Sequence, residues 1–435
     1  MRNVFGAFCA LGLFGLCGAP ALAQDPLQEA NKTLKENTGD RFWFTFEERT
    51  RWEEKDGVNF GSAVNQQDML SRIRIGAEYD PFDWLGFSAM GQDARAPFYG
   101  VGAPNTLRDT MDLQEAHIDI LTRHRRGLSA TFGREMISYG EGRVIGIPDW
   151  TNVSRTYDNA RVRYRFEHAQ IEVLMLSPVK VLPDSFNTPD LGERIWGTYN
   201  TFSKVWHGAS FDAYGLRHSQ NKIGGWTGKG TLGTDSFGGR FYGPLAYGFD
   251  YSMEGIGQIG HSGHVDQRAY AWFSEISKKL TAFNKPLTFS GEYKIASGTK
   301  RGETHSSTYD QLAPANHDKF GFEDLFGWRN LQNLRAVSSY NLTKAFAINL
   351  EYDNDWLDSA SDSLYNSSGK SIAVSSKGLY GTHVGQELDS FATYKYNAHL
   401  FGAGFGHFFE GEFVERTTHG INPRYFYVFQ QYSFK

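Results

Sequence analysis

The chain has 435 residues and a formal net charge of −5 at neutral pH, with 15% aromatic residues and 48 glycines against only 13 prolines. This balance gives no global basic field, which argues against a nucleic-acid-binding protein. It favours many β-strands, and because no Pro- or Ser-rich linker divides the chain, we expect one large β-structure rather than several soluble domains.

The first 23 residues have the features of a secretory signal peptide. Arg2 supplies a positive charge, residues 4–16 form an apolar stretch, and Ala-Leu-Ala ending at Ala23 is a small-x-small cleavage site. We therefore expect export of the chain and cleavage after Ala23.

Both cysteines, Cys9 and Cys17, lie in this predicted signal peptide. The mature chain would have no thiol for a disulfide or a metal site. Residues 24–40 follow as a short polar periplasmic lead-in. Nothing after the signal peptide approaches the run of about 20 apolar residues that a membrane helix requires.

From residue 41 onwards, apolar and polar residues alternate along segments of about ten residues, the length of a transmembrane barrel strand. In "MLSRIRIGAEY", for example, Ile73 and Ile75 alternate with Arg72 and Arg74. Eighteen such candidate strands begin near residues 41, 69, 84, 112, 128, 157, 170, 194, 208, 235, 247, 266, 287, 331, 345, 384, 398 and 424.

The connections alternate in length, as the asymmetric loops of outer-membrane barrels do. Tight links such as "DPFD", "RHRRG" and "NLTK" follow the even strands, although residues 277–286 predict a longer turn than the others of this class. The prediction is an all-β protein with a single antiparallel barrel of about 18 strands over 41–435, spanning the outer membrane of a Gram-negative cell. Long polar segments follow the odd strands at 53–68, 96–111, 137–156, 178–193, 298–330 and 354–383.

One strand carries three arginines at alternate positions, Arg161, Arg163 and Arg165, between apolar residues such as Val162 and Tyr164. An arginine that faces lipid costs about 2–4 kcal/mol at the bilayer midplane, so the apolar residues must face lipid and the arginines the lumen. The same parity argument adds four arginines from the first two strands, namely Arg49, Arg51, Arg72 and Arg74.

Acidic residues are expected on the same inner face. In "DLQEAHIDI", Glu115 and Asp119 should face inwards, and the strand between them and the arginines offers only small residues there, such as Thr131. Carboxylates and guanidinium groups two strands apart, about 10 Å at the backbone, could therefore meet over it. The pairs would brace the wall, or would hold arginines whose spare donors bind passing carboxylates; the two roles can coexist.

At "QDAR" (92–95), "DLQEAHIDI" (112–120), "FGREMISYGEGRVIG" (132–146) and "DWTNVSRTYDNARVRYRF" (149–166) the chain resembles the bacterial alginate-export family of outer-membrane proteins. The resemblance implies a monomeric 18-stranded barrel whose arginine-rich constriction passes a polyuronate, a polymer with one carboxylate per sugar. Residues that fit such a constriction are Arg72, Arg74, Arg95, Arg134, Arg143, Arg155, Arg161 and Arg163, with Asp93, Glu115, Asp119 and Asp158 as acidic counterparts.

The alginate exporter of the family has a long periplasmic turn late in the barrel that acts as a plug. The corresponding link here, around 392–399, is predicted to be short. A porin for smaller anionic saccharides or acids, without an export role, is therefore the alternative. The expected partners are outer-membrane lipid and an anionic polysaccharide or oligosaccharide, and no nucleic acid is expected. The sequence does not decide whether a periplasmic export scaffold docks onto the short turns.

An outer-membrane barrel can also be an enzyme or an adhesin. An outer-membrane enzyme is disfavoured because the chain has no G-x-S-x-G or H-E-x-x-H motif, and "HSGH" (261–264), in a predicted surface loop, lacks a third metal ligand. We expect no catalytic activity, no cofactor and no metal. An adhesin would use the long loops 298–330 and 354–383. Deleting such a loop would abolish the binding of an adhesin, whereas a channel would stay open or open wider.

Overall fold

The computed structural model describes residues 25–99, 103–121, 126–223, 230–375 and 377–434, so the predicted signal peptide lies outside the described residues. No helix among these residues is long and apolar enough to cross a membrane. Within them, eighteen long strands, numbered β1 to β18 in chain order, are Phe42–Asp56, Gln66–Phe82, Leu85–Arg95, Asp109–Leu121, Gly127–Glu135, Tyr157–Arg165, Ala169–Lys180, Glu193–Trp206, Ala209–Ile223, Gly230–Pro244, Phe249–Ser262, Val265–Ala282, Lys285–Ala296, Leu331–Asn341, Phe346–Trp356, His383–Tyr396, His399–Glu410 and Arg424–Phe434.

Each strand pairs antiparallel with the next, and β1 pairs with β18 from Phe46 opposite Phe434 to Asp56 opposite Arg424. The sheet is therefore a closed barrel, in which every strand has two neighbours and no edge faces lipid. The predicted all-β, 18-stranded antiparallel fold is confirmed.

Shorter elements lie outside the wall strands. Helix α1 is Pro26–Asn37 and helix α2 is Glu412–Thr417, while Val58–Gly61 and Ala246–Gly248 are single 3₁₀ turns. Thr188–Pro189 pairs with the end of β7, and a small hairpin pairs Ser363–Tyr365 with Ser371–Val374.

Side-chain burial follows the predicted alternation. Ile75 and Val173 are 58% and 60% exposed on the outer face, whereas Arg72 and Leu174 on the inner face are 0% and 1% exposed. The outer face of the barrel thus presents apolar side chains to lipid, while strand arginines such as Arg72 are buried on the inner face.

Where the structure describes them, the turns at the end of the barrel at which β1 begins and β18 ends are short. The longer turn predicted at 277–286 is wrong, because β12 and β13 keep pairing to Ala282 opposite Lys285 and only Phe283 and Asn284 form the turn. Both turn residues have positive φ (50° and 61°), as in the type I′ turns whose twist matches that of paired strands. The link near 392–399 is short, as predicted, because β16 ends at Tyr396 and β17 begins at His399.

At the opposite end, two long connections fold into the barrel. We call residues 136–156 the first inner loop and residues 297–330 the second inner loop. Backbone hydrogen bonds join them, from Gly146 N to Ala313 O (2.9 Å) and from Ala313 N to Val144 O (3.0 Å). Their apolar side chains and those of the wall form one buried cluster, which includes Ile137, Val144, Ile145, Leu174, Leu176, Ile195, Tyr309, Phe326 and Trp328.

Helix α1 completes the seam of the barrel. Among the described residues, the pairing of β1 with β18 ends at Phe46, and the side chain of Asn31 forms hydrogen bonds with β1 two residues before that point. Its Nδ2 donates to Phe44 O (2.9 Å) and its Oδ1 accepts from Phe44 N (2.7 Å). Asn31→Ala should therefore free the helix at a cost of about 1–3 kcal/mol, since it leaves two backbone groups unpaired. Hydrogen exchange of residues 26–37 would rise to that of a loop, and unchanged protection would contradict this role.

Candidate functional site

The arginines of β1 bind the backbone of the first inner loop. Arg49 donates from its guanidinium group to the carbonyl oxygens of Asp149 (2.8 Å) and Thr151 (2.9 Å). Arg51 donates to Trp150 O (2.7 Å) and lies 4.0 Å above the centre of the Trp150 ring. Both arginines are buried, so their guanidinium groups serve as loop anchors in this structure.

The arginines of β2 bind the carboxylate of the same loop. Arg72 pairs with Glu47 (2.6 Å) and Asp149 (3.2 Å), and Arg74 pairs with Asp149 (2.9 Å) and donates to Ser154 (2.8 Å). Burial alone would raise the pKa of Asp149, but the guanidinium groups of Arg72 and Arg74 hold that pKa well below its usual range. The carboxylate is therefore charged and bridges two buried cations.

The arginines of β6 also lie on the inner face, and they differ in accessibility. Arg161 is buried and binds the carboxylates of Glu135 and, at 3.3 Å, Glu172. The Arg163 side chain is 15% exposed and lies 3.5 Å from the same Glu172. Arg165 is partly buried and donates to Gln170 at 3.0 Å. Arg161 is thus fixed as part of the wall, and Arg163 and Arg165 are the more accessible cations of the strand.

The predicted acidic residues of β4 lie inside the barrel and contact neighbouring strands. Glu115 accepts a hydrogen bond from the backbone of Met136, where the first inner loop begins (3.0 Å). Thr131 donates to Asp119 (2.5 Å) and accepts from Arg163 (3.4 Å), so this hydroxyl connects a carboxylate and a guanidinium group two strands apart. The sequence did not identify Glu135 and Glu172 as the ionic partners of Arg161.

Two predicted pairs lie on the other face of the wall, and their expected placement in the lumen is wrong. Asp93 and Arg95, 2.8 Å apart, share the parity of the outward-facing Phe87, and Arg95 is 56% exposed. Arg134 and Asp158, also 2.8 Å apart, share the parity of the outward-facing residues of β5 and β6. Both pairs lie at the ends of their strands, outside the barrel interior.

The two remaining predicted arginines belong to the first inner loop. Arg143 is buried, with its guanidinium carbon 3.4 Å from the Phe273 ring centre and Nη2 3.6 Å from Glu292. Arg155 donates to the carbonyl oxygens of Ala313 (2.6 Å) and Pro314 (3.1 Å) in the second inner loop. They lie inside the barrel and join the inner loops to each other and to the wall.

The second inner loop has an anchor that sequence reasoning missed. His218 of β9 is buried between two carboxylates, with Nδ1 2.7 Å from Asp310 of the loop and Nε2 3.0 Å from Glu193 of β8. Thr234 also donates to Asp310 (2.9 Å). Nothing in the sequence pairs a strand histidine with a loop aspartate 92 positions away, so no local signal could have found this contact.

An acidic group on the inner face of β15 and β16 was also missed. The signal was present in the sequence, because the alternate positions 351, 353 and 355 of "FAINLEYDNDW" are acidic. The group, which we call the acidic cluster, consists of Glu323 of the second inner loop, Glu351, Asp353 and Asp355 of β15, and Glu387 and Asp389 of β16.

The histidines of "HSGH" have no metal-site partners among the described residues. His261 lies in β11, one residue before its end at Ser262, and the predicted surface loop is a two-residue turn formed by Gly263 and His264. In the part of the chain that the structure describes, three carboxylates of the acidic cluster are the one group of His, Cys, Asp or Glu side chains close enough together to share an ion.

Comparisons with known proteins agree with this architecture. A structure comparison finds crystal structures of Pseudomonas aeruginosa outer membrane protein OpdK (TM-score 0.64, 8% identity, covering 91% of this chain and 99% of that one) and OccK8 (OprE) (0.63, 9%, 90% and 98%). Acinetobacter baumannii OccAB4 is similar too (0.62, 8%, 91% and 98%). At these identities the likeness concerns the fold.

Sequence comparison gives the family. A search of curated protein sequences gives no match. The family described as alginate export matches residues 41–428, which is nearly all of the barrel. The chain therefore belongs to the alginate export family, and it is a β-barrel channel of the outer membrane.

Proposed function

We propose that the barrel passes an anionic polysaccharide of the alginate type, or a related anionic solute, across the outer membrane by diffusion. The observation that carries the proposal is the set of arginines on the inner face, above all Arg163 and Arg165, which are more exposed than the fixed Arg161 beside them. A guanidinium group presents paired donors that suit a carboxylate, and a polyuronate offers one carboxylate per sugar.

The inner-face arginines divide into two roles in this proposal. Arg49, Arg51, Arg72 and Arg74 bind the first inner loop, so they would set the width of the channel rather than touch the cargo. Arg163 and Arg165 would contact the passing carboxylates. In this proposal both roles expected for the arginines occur in the same barrel. One group of arginines braces the structure, and another forms the track for the anion.

A porin for smaller anionic saccharides or acids is the second candidate. Two inner loops occupy the barrel interior at one end, and at the other end the link at 397–398, which corresponds to the plug of the alginate exporter, is short. The two candidates differ in the length of the cargo. In either case we propose a non-enzymatic monomer embedded in outer-membrane lipid, made with a signal peptide over residues 1–23 and a periplasmic lead-in over 24–40.

Single-channel recording in planar bilayers tests the proposal. The refolded protein should prefer anions and be blocked by oligo-uronates of increasing length. In Arg163→Gln/Arg165→Gln the block should weaken about tenfold or more, because a hydrogen bond to a charged group is worth about 1.5–3 kcal/mol. The control is Arg194→Gln/Arg268→Gln, which removes the same charge from two exposed arginines.

Each outcome decides between roles. A cation-selective pore that oligo-uronates do not block would overturn the proposal. Block by short oligo-uronates but not by longer ones would favour the porin. A control that loses block as much as Arg163→Gln/Arg165→Gln would show that total charge, not these two side chains, attracts the anion.

A further inference from the structure

The strand register places carboxylate opposite carboxylate in the acidic cluster. Glu351 of β15 lies opposite Asp389 of β16, and Asp353 lies opposite Glu387. Like charges directly opposite each other on neighbouring strands repel. All six residues of the cluster are at most 8% exposed, so water screens this repulsion little.

The surrounding cations do not balance these charges. Among the described residues, Arg335 is the only Lys, Arg or His side chain within 4.0 Å of a carboxylate of the cluster, pairing with Glu351 and lying 3.7 Å from Asp353. Arg335 also pairs with Glu292 (3.0 Å), which lies outside the cluster. One shared guanidinium group is therefore set against six carboxylates.

Several oxygens of the cluster have no hydrogen-bond donor among the described residues, and these include Oδ2 of Asp353 and Oδ1 of Asp389. A neutral side chain adds to them. Asn333 is fully buried, and its amide nitrogen donates to both Asp353 (2.8 Å) and Asp355 (2.9 Å), while its carbonyl oxygen accepts no hydrogen bond. Buried polar atoms are rarely left without a partner, so these oxygens indicate a positively charged ligand.

We propose that Glu351, Asp353 and Asp389 bind a calcium ion inside the barrel. One oxygen from each lies within 4.8 Å of the others. Oxygens that bind Ca²⁺ at about 2.3–2.6 Å lie no more than about 5 Å apart, so the three can share one ion. The cluster offers only carboxylate and amide oxygens, the ligands of hard cations, and none of the nitrogen or sulfur ligands that transition metals prefer.

The ion would also hold the second inner loop. Asp389 Oδ2 accepts a hydrogen bond from Phe322 N (3.2 Å), and Glu387 Oε1 accepts one from Glu323 N (2.9 Å). The backbone of the second inner loop approaches Glu387 closely, because a Cβ on Gly321 would lie 2.3 Å from the Glu387 carboxylate. Carboxylates that an ion keeps charged and in place would remain good acceptors for these amides, so the loop should be bound more firmly with Ca²⁺ than without it.

Metal content and metal-dependent stability of the refolded, chelator-treated protein in lipid-free detergent test this site. Wild type should take up about one Ca²⁺ per chain and should release bound Tb³⁺ when Ca²⁺ is added. It should also melt at a higher temperature with Ca²⁺ than with chelator. Asp353→Asn/Asp389→Asn should lose the uptake and the shift in melting temperature. The control Glu167→Gln/Asp184→Asn removes two exposed carboxylates and should keep both.

The wild-type titration decides the matter even if the double variant does not fold. A wild-type protein that binds neither Tb³⁺ nor Ca²⁺ and melts at the same temperature with and without Ca²⁺ would overturn the site, with protons neutralising the carboxylates instead. Equal uptake by wild type and a folded Asp353→Asn/Asp389→Asn variant would place the ion elsewhere and would overturn it as well.

Discussion

Replacing Arg72 and Arg74 together by methionine is expected to detach the first inner loop from the wall and to raise the single-channel conductance. Both guanidinium groups are buried and meet at the carboxylate of Asp149. The double variant leaves the carboxylates of Asp149 and Glu47 without these two cations. Because the Asp149 side chain is half exposed, we expect a cost below the roughly 3–5 kcal/mol of a fully buried pair. Because the variant leaves the strand pairing of β2 intact, we expect the lost free energy to weaken the binding of the first inner loop to the wall.

Conductance in planar bilayers and hydrogen exchange of residues 136–156 are the measurements for this pair. Arg194→Met/Arg268→Met, which changes two exposed arginines, is the matched control and should leave both unchanged. If conductance and exchange of Arg72→Met/Arg74→Met equalled those of wild type, the contacts of Arg49 and Arg51 and the apolar packing of the loop would be enough to hold it, and Arg72 and Arg74 would not be its anchors.

The barrel wall could be predicted from the sequence because each strand carries its own signal. Alternation needs only neighbouring residues, and lipid on one side makes the parity of a strand such as β2 unambiguous, with Ile73 and Ile75 outside and Arg72 inside. The turn at Phe283 and Asn284 was not predicted because neither residue is glycine. Continued strand pairing outweighs the cost of positive φ at both positions.

Parity also explains the predicted residues that lie on the wrong face. Arg95 and Arg134 were assigned to the lumen by resemblance to the family motifs, not by alternation. Counting from the outward-facing Phe87 and Phe132 places both arginines on the outer face, where the structure has them. Alternation within the strand was the stronger signal at these positions.

The interior could be predicted only in part. The sequence shows which wall residues face inwards, but it does not show where long polar connections such as 136–156 and 297–330 fold. The inner loops are placed by contacts between distant residues, such as Arg155 with Ala313 and Arg49 with Asp149. Until those loops are placed, a lumen arginine that binds cargo cannot be told from one that binds a loop carbonyl.

Mutation of His218 to glutamine is expected to detach the second inner loop. A histidine donates from both ring nitrogens only as the cation, so His218 carries a positive charge between Asp310 and Glu193. Glutamine leaves two carboxylates together without that charge, at a cost of about 3–5 kcal/mol for a buried pair. Amides 306–315 should lose protection from hydrogen exchange, and Asp310→Asn/His218→Gln should lose less than the sum of the single variants.

The same contact makes the loop sensitive to acid. Burial by itself would raise the pKa of Asp310, but His218 outweighs it and holds that pKa at about 2, below the ordinary 3.8. A depressed carboxyl pKa stabilises the folded form above the unfolded value and loses that contribution as the pH falls through the folded one, here about 2 kcal/mol between about pH 4 and pH 2. Protection of amides 306–315, relative to intrinsic exchange at each pH, should fall in this window in wild type and fall less in Asp310→Asn, in which only the contact of His218 with Glu193 remains to be lost. An equal fall in both proteins would mean that another group titrates and that Asp310 is not the acid-sensitive anchor.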